Sequence, residues 1–343
     1  MRADFLIVGQ GLAGTMLAWE FERAGLSFAV ADAGHAAAAS RVAAGIINPI
    51  TGRRLVKSRR IDERLPVARA AYREIESVLG VPLWREMRVR RRFADERERR
   101  VFGEKRARGE FGAWAGAADD EGFWIEGAAR VDLPALLAAA RERWGRQGRL
   151  RPEATEARKE AGRHELVVDC TGLAGAQHGA FDGVPWEFSQ GETLVLAVEG
   201  LAPDVILNRG HWVLPTAPGQ AWLGATHRPG TVEARATSAA RDDLEASARV
   251  LLAGRAFAVT DQLAGVRVNP RDKQPVVGRH PTVARLGVFN GLGAKGALHA
   301  PALARQWLNH LTEGVPFDAE VDVARFFPAI RRRLRRVRPA VRR

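Results

Sequence analysis

Apolar runs and glycine breaks punctuate the start of the chain. Phe5–Val8 is a short, continuous apolar run of the kind a parallel sheet buries, which predicts a strand. A helix is predicted from Thr15 to Ala24, ended by Gly25, and a second apolar run then closes at Asp32. Further along, Leu65, Ala68, Tyr72, Ile75 and Leu79 recur at helical spacing, so a helix is predicted over Ile61–Leu79 with Gly80 as its stop. Tyr72 falls on that stripe and reads as core. Trp84–Arg92 and Phe123–Val131 read as extended segments around a charged helix in DERERRVFGEKRAR. Asp132 caps a helix running through Trp144, with Pro134 in its first turn.

The second half repeats both patterns. Leu166–Val168 is an apolar strand that runs into Thr171 and Gly172. Between Glu192 and Thr226, the segments ETLVLAV, DVILNRG, HWVLPTA and AWLGATH are short, rich in Val, Leu and Trp, and separated by Gly, Pro and Asn, which predicts an antiparallel sheet. A helix is expected from about Thr231 to Leu252, ended by Gly254. The stretch RLGVFNGLGAKGALHAPALARQWLNHL then gives strand, glycine turn and a helix beginning near Ala297. The fold class is therefore α/β: a Rossmann-like domain interleaved with an antiparallel-sheet substrate domain. The expected division gives 1–82, 125–185 and 258–330 to the first, 83–124 and 186–257 to the second, and 331–343 to a basic tail.

Gly9, Gly11 and Gly14 stand at G-x-G-x-x-G spacing between the first strand and the first helix, the context in which that motif binds a dinucleotide. Gly9 permits the turn, Gly11 lets a pyrophosphate approach the backbone, and Gly14 lets helix and strand pack closely. The helix aims free N–H groups and its positive dipole end at the phosphates. Asp32 follows where a carboxylate can accept the ribose hydroxyls and repel a 2′-phosphate, which disfavours NADP. The motif leaves FAD against NAD open. The Ala- and Gly-rich stretch after Asp32 offers Ser40, Arg41 and Gly45 for contact with the pyrophosphate or ring system. Thr171 and Gly172 are a second strand-end contact, while Gly291, Gly293 and Gly296 free the last turn to approach a ligand, with Lys295 inside it.

Composition narrows the class further. A chain of 343 residues has room for two domains, and its single cysteine, Cys170, excludes a disulfide framework and reads as a buried, inert thiol. The first strand begins too early for a signal peptide and no apolar run reaches membrane-spanning length, so a cytoplasmic protein without membrane contact is expected. The net charge is +13, and eight arginines with no acid lie in Arg331–Arg343. That tail is either a compositional bias, since only 5 of the 53 basic residues are lysine, or an arm for RNA. The eight histidines lie apart, so no metal site is expected.

Six blocks in order, VGQGLAGTMLAWEF, ASRVAAGIINP, VVDCTG, LPTAPGQAWLGATH, GVRVNPRDKQPVVG and GLGAKGALHAPALA, resemble the FAD-dependent oxidoreductases of the D-amino-acid oxidase, glycine oxidase and sarcosine oxidase family. The resemblance implies FAD as cofactor, an FAD-binding domain interleaved with a substrate domain, and oxidation of a C–N bond. By position it implies that Gly9, Gly11, Gly14 and Asp32 hold the adenosine half of FAD. Ser40–Asn48 and Gly291–Gly296 would approach the flavin, and Arg267 would grip a substrate carboxylate, where a planar guanidinium fixes the substrate bidentately. Two departures stand out. Leu292 occupies a turn position where many amine oxidases of the family carry histidine, and the turn is similar to the G-L-G-A-R-G of a bacterial oxidase acting on carboxymethylaminomethyl-uridine in tRNA. The chain also has a single tyrosine, Tyr72, so the tyrosine hydroxyls that complete the carboxylate clamp in such oxidases are missing, and His211, Trp212 and Trp222 are left to shape a pocket or to fill a sheet core.

These expectations combine in an oxidase or dehydrogenase of an amino acid or secondary amine. Hydride leaves the carbon beside a neutral amine for flavin N5, and water hydrolyses the imine that results. Arg267 orients the substrate, while Lys295 and the helix N-terminus stabilise charge on the reduced flavin. The same chemistry on a tRNA wobble uridine, with the tail meeting phosphates, is one alternative. A flavin-binding redox sensor without turnover is another.

Overall fold

The computed structural model describes residues 3–34 and 38–327, so the basic tail at 331–343 lies outside the described residues. The chain divides into two compact units. Among the described residues, unit 1 combines 3–34, 137–188 and 267–327; unit 2 combines 38–136 and 189–266.

Unit 1 holds a six-stranded sheet in the order Val276–Arg279, Leu286–Asn290, Leu166–Asp169, Phe5–Val8, Phe28–Ala31, Leu150–Arg151. All neighbours are parallel except the Val276–Arg279 edge strand, which runs antiparallel. The central strands are apolar on both faces because both are covered; Leu6, Val167 and Leu286 are wholly buried. Each such side chain contributes about 1.5–3 kcal/mol relative to exposure. The first strand has Phe28–Ala31 on one side and Leu166–Asp169 on the other, which makes its carboxyl end the switch point where an open α/β sheet binds its ligand. The first helix runs Leu12–Arg23, three residues earlier than expected, because Gly11 is already the extended N-cap residue.

Unit 2 is built on a ten-stranded, mostly antiparallel sheet. Its long strands include Trp84–Arg92, Gly122–Val131 and most of Trp186–Val198. The helix Ile61–Leu79 has the expected bounds and ends at Gly80 in the left-handed region, φ +69°. Tyr72 is buried in it and stacked on Trp84, as the stripe required.

Two expectations about the chain's organisation are revised. Residues 38–82, 125–136 and 258–266 cluster with unit 2, and 186–188 with unit 1. Hydrogen bonding explains the first two, because Ile46 and Ile47 pair with Arg130 and Ala129 at the edge of the large sheet, and Gly122–Val131 pairs along Trp84–Arg92. The expected helix from Thr231 begins only at Ser238. The fully buried Glu192 carboxylate accepts from Thr237 N (2.8 Å) and Thr237 Oγ1 (2.9 Å), and Gln190 Nε2 donates to Arg235 O (2.5 Å). These bonds hold 231–237 on the sheet, and Thr237 becomes the N-cap.

Candidate functional site

The glycine turn after the first strand is explained by contacts as much as by dihedral angles. Gly9 has φ +97°, and a Cβ there would lie 2.7 Å from Cys170 O on the neighbouring strand end. A Cβ on Gly14 would lie 1.9 Å from Gly9 O, so the first helical turn folds directly over the bend. Leu12–Arg23 has no side-chain cap and no acid in its first turn. Its N-terminal end thus suits an anion. Asp32 follows the second strand, its Oδ2 accepting from Gln10 N (2.7 Å) and its Oδ1 from Gly34 N (2.7 Å) and Arg141 Nη1 (2.9 Å). Sequence reasoning did not find Gln10 or Arg141.

The next strand end carries a second cradle. Asp169 is buried, and its Oδ1 accepts from Thr171 N (3.0 Å) and Thr171 Oγ1 (2.6 Å). Burial raises the pKa of the Asp169 carboxyl, against the lowering effect of those two bonds. Gly172 sits at φ +58°, ψ −116°, a conformation that requires glycine, and a Cβ there would meet nothing within 4 Å. The space above Gly172 is open. Asn290 Nδ2 donates to Gly172 O (2.8 Å) while its Oδ1 accepts from Gly291 N (2.7 Å), which ties this cradle to the third. Cys170 is buried and burial, aided by the Asp169 charge, drives its thiol pKa well up, which leaves it unreactive as expected.

The third cradle is the turn from Gly291 to Gly296. A Cβ on Gly293, at φ +53°, would lie 1.9 Å from Asn269 Oδ1. Asn269 and Arg267 are two apart near the end of the strand Phe257–Pro270, so they share one of its faces. Arg267 is half-buried on the strand whose Asn269 meets the turn, and burial pulls its pKa below the usual arginine value. It stays charged at neutral pH. Gly296 opens the helix Gly296–Glu313, which has neither a side-chain cap nor an acid in its first turn, and a Cβ on Gly296 would lie 3.0 Å from Leu12 Cδ2. The uncapped N-terminal turns of two long helices therefore meet. Arg305 fastens the pair further back, donating to the buried Glu20 through Nε (2.7 Å) and Nη2 (3.1 Å). Lys295 is half-buried in the turn; among the described residues its ammonium has no hydrogen-bond or ion-pair partner, and burial lowers its pKa.

Eleven of the expected site residues, including Gly11, Asp32, Thr171 and Arg267, thus lie in unit 1. Ser40, Arg41 and Gly45 lie in unit 2. A Cβ on Gly45 would lie 1.9 Å from Val131 O, so close packing on the strand Gly122–Val131 accounts for that glycine by itself. Arg41 N donates to Ala38 O (2.8 Å) in a turn. His211 is bonded through Nδ1 to Ser247 Oγ (2.7 Å), and Trp212 packs against a core cluster of unit 2. Among the described residues no cluster of His, Cys, Asp or Glu is arranged to hold a metal, and no helix is long and apolar enough to cross a membrane.

The sequence profile of the DAO family, FAD dependent oxidoreductase, matches residues 4–308. The chain belongs to this family. FAD is its cofactor and the protein is an FAD-dependent oxidoreductase. Among curated relatives it is 31% identical over 331 residues to the tRNA 5-methylaminomethyl-2-thiouridine biosynthesis bifunctional protein MnmC of Maricaulis maris, covering 92% of this chain and 53% of that protein. It is 28% identical over 152 residues to glycine oxidase of Bacillus licheniformis, covering 40% of this chain and 41% of that one. The chain thus spans about half the length of the curated relatives it matches. Among solved structures it is similar to iminodiacetate oxidase from Chelativorans sp. BNC1 (TM-score 0.75, 22% identity, 92% and 98% of the two chains). Glycine oxidase from Geobacillus kaustophilus is comparable (TM-score 0.75, 21% identity, 95% and 98%).

The residues of unit 1 fit the DAO cofactor. A pyrophosphate suits the positive end of a helix dipole, and the helices starting at Leu12 and Gly296 both lack a side-chain cap and an acid in the first turn. A bulky ring system needs backbone without side chains, and Gly172 faces open space while Gly291 and Gly293 hold left-handed turns.

Proposed function

We propose that this oxidoreductase oxidises the C–N bond of an amino acid or secondary amine that carries a carboxylate, and that Arg267 grips that carboxylate. The observation that carries the proposal is the shared strand face of Arg267 and Asn269, with Asn269 against Gly293 of the turn assigned to the flavin. A half-buried guanidinium binds a carboxylate more strongly than a solvated one and fixes the orientation of the Cα–H bond. When bound, FAD supplies the hydride acceptor at N5. In this reading Lys295, partly desolvated and without an acidic partner among the described residues, stabilises negative charge in the site. The substrate amine reacts as the free base, and its imine product is released to water.

A second reading keeps this chemistry and moves it to a carboxymethylaminomethyl-uridine in tRNA. Supporting it are the match to MnmC over 92% of the chain and the burial of the sole tyrosine, Tyr72, where it cannot join a small-substrate clamp. The glycine-like arm of that base also presents a carboxylate to Arg267, and the basic tail would meet phosphates. A reducing cytoplasmic setting suits both readings, given one buried, free cysteine.

Anaerobic titration separates the two. Glycine, sarcosine, proline and D-alanine are added in turn to the oxidised holoprotein, followed by modified tRNA. Bleaching by a free amine supports the first reading. Bleaching by tRNA alone, with salt-sensitive binding lost on deletion of 331–343, supports the second. A flavin that none of them reduces contradicts both.

A further inference from the structure

Asp32 is embedded in a network that the glycine motif does not announce. Its Oδ2 accepts one hydrogen bond, from Gln10 N, and its Oδ1 accepts two, from Gly34 N and Arg141 Nη1. A carboxylate offers about four lone-pair sites. Among the described residues three are filled, and the one left is on Oδ2. Asp32 alone therefore does not have the capacity to accept both hydroxyls of a ribose.

Arg141 has the complementary surplus. One Nη1 hydrogen goes to Asp32 Oδ1 and the other to Gln10 Oε1 (3.2 Å), and Nη2 donates to Asp32 O (3.0 Å). Gln10 is itself fixed, its Nε2 donating to Leu137 O (2.8 Å). A guanidinium carries five N–H donors. The Nε hydrogen and the second Nη2 hydrogen have no acceptor among the described residues. The fork is also partly sheltered, with 24% of the Arg141 side chain exposed against 12% for Asp32. Three bonds to fixed groups pre-organise the guanidinium plane, which lowers the ordering cost of a further contact.

We propose that the adenosine ribose of FAD is read by the Asp32–Arg141 pair together: Asp32 accepts from one hydroxyl, and Arg141 donates to the oxygen of the other. Arg141 is thereby an affinity-determining residue for the cofactor. The proposal rests on the DAO-family assignment of FAD to this chain. It does not depend on the identity of the amine substrate.

The test is FAD titration into apoprotein, followed by quenching of flavin fluorescence, for the native protein, Arg141→Leu and Arg141→Lys. The thermal midpoint of each apoprotein is measured alongside. Loss of a charge-assisted contact is expected to weaken FAD binding about 10- to 100-fold in Arg141→Leu. Arg141→Lys keeps the charge beside Asp32 but lacks the fork, so it recovers only part of that loss. The apoprotein midpoints are expected to stay within about 2 °C of the native value. FAD affinity within twofold of native in both variants would overturn the proposal. So would an affinity loss that appears only alongside a matching drop in apoprotein midpoint, since that identifies a structural ion pair. Should Arg141→Leu fail to fold, Arg141→Lys decides by the same criteria. A native apoprotein that takes up no FAD would overturn the family assignment itself, a different failure from unchanged affinity in the variants.

Discussion

Gly293→Ala tests the link between Arg267, proposed to bind the substrate, and the turn proposed to approach the flavin. The new Cβ would stand 1.9 Å from Asn269 Oδ1, a separation no pair of unbonded atoms adopts, so Asn269 must move. Displacing a packed side chain costs about 1–3 kcal/mol. Holding alanine at φ +53° adds about 1–2 kcal/mol. The expected destabilisation is therefore about 3 kcal/mol, or roughly 6–12 °C in the midpoint of a unit of this size. Asn269→Ala removes the oxygen that obstructs the Cβ, so in the double variant only the backbone strain remains. The cycle should return a coupling of about 2 kcal/mol. The assay is thermal release of the bound flavin, read by fluorescence, for the native protein, both single variants and the double variant. In the same variants, movement of the Asn269 strand end should raise KM for the amine more than it lowers kcat, because Arg267 lies two residues away on that strand. A Gly293→Ala midpoint within about 2 °C of native, or no rescue by Asn269→Ala, would refute the contact and the placement of Arg267 built on it.

Other outcomes follow from the same geometry. Arg267→Leu is expected to lower kcat/KM by about 100-fold, and Arg267→Lys by less, as stopped-flow flavin reduction will report. Lys295→Met removes a positive charge from the turn, so the flavin midpoint potential should fall by tens of millivolts, at about 30 mV per 1.4 kcal/mol, in a spectroelectrochemical titration. An unchanged potential would place Lys295 outside the flavin's field. Asp169 has a folded pKa raised above its ordinary carboxylate value, so folding favours its protonated form. Stability linked to Asp169 is thus greatest below the unfolded value and falls as pH rises toward the raised folded value. Asp169→Asn keeps the acceptor for Thr171 and should flatten that part of the stability–pH profile, measured by denaturant unfolding.

Local features of the fold were legible in the sequence wherever neighbouring residues determined them. The Ile61–Leu79 helix was readable to the residue because an apolar stripe and a left-handed glycine define it locally. The glycine turns were readable for the same reason, although their steric justification sits on other strands, as with Gly9 against Cys170 O. Long-range polar bonds left no local trace. Glu192 draws 231–237 out of a helix that Glu, Ala and Arg would otherwise favour. Arg141 meets Asp32 from 109 residues away, as one arginine among 48, and no spacing rule marks it. The placement of 38–82 in unit 2 reflects strand pairing and core packing against distant residues, as with Ile46 on Arg130 and Ile50 in the cluster of Phe102 and Phe123, which composition does not reveal. Gly45 illustrates the converse, a glycine read as a ligand contact that also has a packing reason at Val131.

The central claim is that Arg267 selects amines by their carboxylate. It is tested most directly by anaerobic flavin reduction with the best amine found in titration and with the same amine lacking its carboxylate. The account predicts that the native protein prefers the carboxylate-bearing compound by about 100-fold or more, and that Arg267→Leu loses most of that preference. Equal reduction rates for the two compounds in the native protein, or a preference that survives intact in Arg267→Leu, would contradict it.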